Sequence, residues 1–329
     1  MTQAPLNGAG WPDAHRVDAN GVTLSVHEAG PISNRPPLVF CHGWPELAFS
    51  WRHQVEALSA LGWRCLALDM RGYGASSAPS AIEAYAMTAL CGDLVGLLDA
   101  KGIDQAVFVG HDWGGLVVWD MARRHPDRVC GVVGVCTPHR KRLPFDPIAG
   151  MKARWGDDFY IVYFQQPGPA ETLFEADLDK TFRFLQRTGP QVRAAAAAAP
   201  KLPFLALQLQ LQAFDAAPDA PTMLSPQDRA VYVDAYRQSG FRGGLNWYRN
   251  FSRNWADSAT LPDTVSQPAL MILAEWDAAL PPSAADGMEE IVPHLEKRLI
   301  PQTGHWVQQE APGPVNAAIA DWLARTFPG

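Results

Sequence analysis

Four short runs in the first 137 residues, "PPLVFCHG", "WRCLALDMRG", "DQAVFVGHD" and "VCGVVGVCTP", are apolar on consecutive positions and end at turn residues. A strand with one wet face alternates apolar and polar side chains, whereas a strand apolar on both faces must be covered on both. That is the situation of a parallel sheet sandwiched between helices. Helical patterns lie between the runs, "WRHQVEALSALG" at 51–62 and "AYAMTALCGDLVGLLDAKG" at 85–103, the second closing on Lys-Gly as helices often do. A further run, "VTLSVHEAG", precedes them. Strand and helix in alternation predict an α/β fold with a mostly parallel central sheet flanked by helices.

From about residue 138 the strand-like runs stop, and stretches rich in Pro, Ala and Gln take over, among them "ETLFEADLDKTFRFLQRTG" (171–189) and "SPQDRAVYVDAYRQSG" (225–240). Ser225, Pro226 and Asp228 form a good helix start. The alanine tract at 194–200 reads as helix or loop filler, and the apolar "LPFLALQLQLQAF" (202–214) as packing core. Near 268 the α/β pattern resumes with "PALMILAEWD" and "EKRLIPQTGHW", then a closing amphipathic helix, "PVNAAIADWLARTF". The chain therefore divides into a core of residues 1–137 and 259–329 and a helical cap at 138–258, without an internal repeat.

At 329 residues and 47% apolar content the chain can bury a large core. A net charge of −7 without a long basic run leaves no electrostatic footprint for nucleic acid or an anionic membrane, so small molecules are the expected partners. The start, "MTQAPLNGAGWPDAHR", lacks a secretory pattern and no run approaches a membrane span, which places the protein in the cytoplasm by expectation. Cys41, Cys65, Cys91, Cys130 and Cys136 show neither a disulfide framework nor zinc spacing and read as buried thiols.

The segment "VFVGHDWGGLVVW" (107–119) has the form of a strand, a sharp turn and a helix, the G-x-S-x-G arrangement that presents a nucleophile, with Asp112 in the central place. Asp112 falls at the carboxyl end of its strand, where open α/β sheets bind ligands. A carboxylate is ionised at neutral pH and needs no base to attack. Attack on a carbonyl would give a reactive anhydride, but attack on saturated carbon gives an ordinary ester, so the substitution points to an epoxide or an alkyl halide. Clearing that ester takes a base, an orienting carboxylate and an oxyanion hole. His305 in "PQTGHWVQQ" and Asp277 in "LAEWDAAL" each follow a strand and complete the order nucleophile, acid, histidine. Backbone N–H groups of Trp44, in "FCHGWPE", and Trp113 are the oxyanion candidates. His42 and His111 read as loop-bonding residues, His111 at most orienting, and Asp69 and Arg71 as a structural turn.

Together "HGWPE", "DMRGYGAS", "GHDWGG", "YFQQPGPAE", "GGLNWYRN", "AEWD" and "GHW", in that order, resemble the soluble epoxide hydrolases of the α/β-hydrolase fold over nearly the whole chain. The resemblance implies Asp112 as nucleophile, His305 as base for water, Asp277 as its partner, and Tyr160 and Tyr248 as the ring-opening pair. Tyr160 rather than Tyr163 follows from the spacing the resemblance implies. Phenols protonated at neutral pH suit that task, because the departing alkoxide needs a proton donor. The implied reaction converts an epoxide to a vicinal diol without cofactor or metal, by a monomer or homodimer, on a hydrophobic epoxide.

The nearest alternative, a haloalkane dehalogenase, also uses an elbow aspartate, and the Trp113 indole would serve either chemistry. Trp44 stands where those enzymes often carry Asn, and they lack the tyrosine pair. Fluoroacetate dehalogenases carry arginine at the place of Trp113, and serine esterases a hydroxyl at the place of Asp112. A non-catalytic relative acting as a binding protein would be expected to have lost one of the five catalytic positions, all intact here.

Overall fold

The computed structural model describes residues 11–198, 203, 205–215 and 222–328. The first ten residues, on which much of the leader expectation falls, lie outside them, as do Ala199, Pro200, Leu202 and Phe204 of the stretches quoted above.

Eight strands form one sheet: β1 (Ala14–Ala19), β2 (Val22–Ala29), β3 (Leu38–Cys41), β4 (Cys65–Asp69), β5 (Ala106–His111), β6 (Val129–Val135), β7 (Ala269–Ala274) and β8 (Leu295–Ile300), in the order β1-β2-β4-β3-β5-β6-β7-β8. The neighbours from β4 through β8 pair in parallel, and β2 runs antiparallel to both β1 and β4. Strands β3, β4, β5 and β7 are buried along their whole length, as their unbroken apolar runs require. At the edge, β1 buries only Val17 and Ala19, a half-exposed pattern that the consecutive-apolar criterion passes over.

The chain steps outward from β3 to β4 and then returns across β3 to β5, so the strand order reverses at β3. Right-handed crossovers in opposite directions put their helices on opposite faces. Accordingly helix Arg52–Ala60 packs with the closing helix Pro312–Thr326, and helix Met87–Ala100 with helix Trp113–Arg124. The reversal leaves a crevice beyond the carboxyl ends of β3 and β5, where their loops diverge.

Between β6 and β7 the described residues form nine helices and no strand. The stretch 171–189 divides at Asp177, whose side chain accepts from Lys180 N–H and opens helix Leu178–Leu185 after helix Pro169–Glu175 has ended. Helix Pro226–Ser239 starts as its sequence indicates, with the Ser225 hydroxyl accepting from Asp228 N–H at 3.0 Å. Rings of this segment pack on Trp44 from the loop after β3: Phe164, Phe174, Phe241 and Tyr248 all lie within 6.2 Å of it, centroid to centroid. The helices are thereby seated over the crevice. No helix among the described residues is long and apolar enough to cross a membrane.

Candidate active site

Asp112 leaves β5 and enters helix Trp113–Arg124 with φ 51° and ψ −121°. A non-glycine residue held there costs about 1–3 kcal/mol and persists only where its surroundings fix it. Two glycines make this possible by close approach. A Cβ on Gly114 would sit 2.0 Å from the Cys41 carbonyl oxygen, and one on Gly43 would sit 2.3 Å from Asp112 Cβ. The elbow therefore presses directly against the loop after β3. The Trp44 N–H donates to Asp112 Oδ1 at 2.8 Å, and the Thr137 hydroxyl donates to the Asp112 carbonyl at 2.8 Å.

The second carboxylate oxygen, Oδ2, faces His305 Nε2 at 3.6 Å, while His305 Nδ1 meets Asp277 Oδ2 at 2.7 Å. Asp277 is pinned by its other oxygen, which accepts from the Ala279 and Leu280 N–H groups, each at 2.9 Å. Burial opposes charge on the imidazole, but Asp277 and Asp112 on either side outweigh it and hold the His305 pKa well above its usual value. Burial likewise pushes Asp112 up, and the hydrogen bond and charge of His305 bring it below the ordinary carboxylate range. Each group thus favours the charged form of the other.

Tyr160 opens the short helix Tyr160–Tyr163, and Tyr248 lies in helix Arg242–Arg249. Both line the same cavity as Asp112 and His305, their ring centroids 5.8 Å apart. Burial, with the Asp112 charge adding to it, pushes both phenols far up, so they stay protonated and keep an O–H to donate. Gln165 stitches the two elements together, donating to the Ile161 and Tyr248 carbonyls at 2.8 and 3.0 Å. Helix Arg242–Arg249 is tied to the loop after β4 by the Trp247 indole, which donates to the Arg71 carbonyl at 3.1 Å. Tyr163, the neighbour, is not among the residues lining the cavity.

The cavity has a volume of about 130 Å³. Leu205 and Leu207 from the stretch read as packing core form part of its wall, and Leu211 is buried behind them. His42 accepts from Met70 N–H at 3.0 Å and His111 Nε2 donates to the His305 carbonyl at 2.8 Å, so both act within the loops. Asp69 binds the Ala48 and Ala75 N–H groups, a turn in structural use.

Glu46 went unassigned in the sequence, although it is fully buried. Its carboxylate meets His111 Nδ1 at 2.8 Å and accepts from the amides of Gln308 and Gln309 at 3.0 and 2.8 Å. It thus ties the loop after β3 to the helix that follows His305. The signal available in sequence is a glutamate in an otherwise apolar loop directly after a buried strand. His111, Cys136 and His305 bring possible ligand atoms within 4.8 Å of one another, but these side chains are engaged with Glu46, Asp277 and the His305 carbonyl. The cluster serves as hydrogen-bonded framework.

The sequence profile of the alpha/beta hydrolase fold matches residues 36–312. Epoxide hydrolase A of Mycobacterium tuberculosis is 42% identical over 95% of this chain and 98% of its own length. Bifunctional epoxide hydrolase 2 of Sus scrofa is 40% identical over 92% of this chain and 53% of its own. The crystal structure of epoxide hydrolase A from Mycobacterium thermoresistibile superposes with a TM-score of 0.84 at 40% identity, covering 95% of this chain and 98% of the other. By its eight-stranded sheet, its elbow and these likenesses, the chain belongs to the α/β-hydrolase fold family, among its epoxide hydrolases.

Proposed function

We propose that the protein hydrolyses an epoxide to a vicinal diol through an ester on Asp112. The observation that supports this reading is that Asp112, His305 and the adjacent Tyr160–Tyr248 pair line one cavity. Asp112 Oδ1 is occupied by the Trp44 N–H, so Oδ2 has the free lone pair and attacks a ring carbon. The C–O bond of the ring breaks, and its oxygen takes a proton from the tyrosines as it leaves.

Esterification cancels the Asp112 charge and removes one of the two carboxylates that hold His305 protonated. The imidazole releases its proton to replace the one the new hydroxyl has taken, and becomes a base. His305, oriented by Asp277, then takes a proton from water as the water attacks the ester carbonyl. The oxygen that becomes negative is Oδ1, already on the Trp44 N–H, with the Trp113 N–H as second donor. Collapse breaks the bond to the diol oxygen, which takes the proton given up by the added hydroxyl, so that the diol leaves and the carboxylate is restored.

In this reading residues 138–258 form a cap that contributes the acid pair, over a core of 1–137 and 259–329. Five free cysteines suit a reducing compartment and support a cytoplasmic enzyme. The test is intact-mass spectrometry of His305→Gln mixed with styrene oxide. A stable adduct of one epoxide mass on the peptide holding Asp112 is expected. Lack of any adduct with several epoxides, while the unaltered protein releases bromide from bromoalkanes, would transfer the assignment to dehalogenation.

A further inference from the structure

A second cavity, of about 290 Å³, shares no lining residue with the catalytic one among the described residues. It is a groove between helix Trp113–Arg124 and helix Phe251–Asp257 of the insertion. The first helix lines it with Trp113, Leu116, Asp120 and Arg123, spaced three, four and three residues apart and therefore in one stripe. At 1.5 Å per residue the stripe runs about 15 Å, room for an extended chain of about ten carbons and its head.

The groove is polarised along this axis. At one end the rings of Trp113 and Phe251 meet, 4.7 Å between centroids, with Met87 and Leu116 beside them. The other end is basic. The Arg123 side chain is only 8% exposed, with Nη1 on Asp120 and Nε on the Pro262 carbonyl. Its Nη2 makes no hydrogen bond, and Asp263 Oδ1 stands off at 4.0 Å. Arg142 reaches the same end, since its backbone N–H donates to that Asp263 oxygen at 3.0 Å. Its guanidinium lies 4.2 Å over the Trp255 ring and its Nε donates to the Trp255 carbonyl, which leaves the Nη edge without a hydrogen bond or a carboxylate among the described residues. Asp120 is already claimed by Arg123 and Arg124, at 2.9 and 2.6 Å. Along the wall, Asn254 Nδ2 is a further buried donor without an acceptor. Such donors are unfavourable as they stand, and an incoming anionic oxygen relieves them.

We propose that this groove is a second, non-catalytic site for an amphiphilic organic anion, whose chain lies against Trp113, Leu116 and Phe251 and whose carboxylate head is held by Arg123 and Arg142. The site acts on the catalytic cavity through Trp113. That ring packs edge-on against Tyr248, a wall residue of the catalytic cavity, at 5.1 Å, and its backbone N–H is the second oxyanion donor in the proposed mechanism. A chain pressed on Trp113 shifts donors of both half-reactions, so the occupant is an effector and not a substrate. The effect on turnover rests on the reading of the catalytic cavity as an epoxide site; the binding does not.

The probe is decanoate, with decan-1-ol as its neutral match. In isothermal titration calorimetry the unaltered protein is expected to bind decanoate at least about tenfold more tightly than decanol. Arg142→Met, and Leu116→Trp, which fills the groove, should each weaken decanoate binding at least about tenfold with the melting temperature retained, and Arg142→Lys should keep part of the affinity. With styrene oxide as substrate, decanoate should shift kcat at least about twofold at constant KM, and Arg142→Met should abolish the shift. No heat of binding, an affinity equal for acid and alcohol, or one unchanged in both variants would overturn the proposal. So would a rise in KM alone, the mark of decanoate sitting in the catalytic cavity. Calorimetry needs no turnover, so if styrene oxide is not opened at all the epoxide reading fails while the groove is still judged by its own binding.

Discussion

In the resting site His305 lies between two carboxylates, Asp277 at 2.7 Å and Asp112 at 3.6 Å, and each protonation state depends on the other. The alkylation step needs only ionised Asp112, whose pKa is held below its usual range, so its rate should stay flat across neutral and mildly acid pH. Ester hydrolysis needs neutral His305, so the hydrolysis rate should climb as pH rises through the range in which the imidazole loses its proton. Rapid-quench measurement of the bound ester should therefore find it accumulating at acid pH and scarce at alkaline pH; a hydrolysis rate independent of pH would contradict the base role of His305. In the proposed mechanism the tyrosines act in the other half-reaction. Tyr160→Phe and Tyr248→Phe should each slow alkylation by about tenfold to a hundredfold while leaving ester breakdown intact, as expected of one of two proton donors. Stopped-flow tryptophan fluorescence can separate the two steps, since Trp44 and Trp113 both lie close to Tyr248, at 5.7 and 5.1 Å between ring centroids.

Among the elements, the loop after β3 contributes most per residue. Its Gly43 leaves room for the Asp112 side chain, its Trp44 N–H holds Asp112 Oδ1, and its Glu46 anchors the partner loop carrying His305. Replacing Glu46 by leucine removes the acceptor from three buried donors, each costing about 1–3 kcal/mol when left unmade. Glu46→Leu is thus expected to lose more than about 3 kcal/mol in urea unfolding, against little change for an exposed glutamate such as Glu290. An unchanged midpoint would mean that water replaces the carboxylate and the tie is dispensable. The elbow at Asp112 and the Asp277 turn were legible because each puts an acidic side chain just past an apolar run, and His305 because it stands in a turn shortly after β8. Glu46 was not, because its partners stand 262 and 263 residues away and nothing in the sequence pairs them.

Over the whole molecule, the same contrast separates the sheet from the helices above it. Consecutive apolar runs identify β3 to β7 because burial on both faces leaves no polar position, while β1 escapes notice because only its inner residues are covered. The helical insertion could be recognised as helical, but which of its side chains face the crevice depends on how the helices are seated. Leu207 and Leu211 belong to one helix and look alike in sequence, yet the first lines the cavity and the second is core. The contact of Gly43 and Gly114 with their neighbours has a further bearing on how such proteins diversify. Where two backbones touch with no room for a single methyl group, no side chain can be traded without displacing the reacting oxygen, so that half of the site has one workable spelling. The opposite wall is made of side chains on helices and can be rewritten one residue at a time. New substrates for this chemistry are therefore to be sought by varying the roof while the floor is left alone.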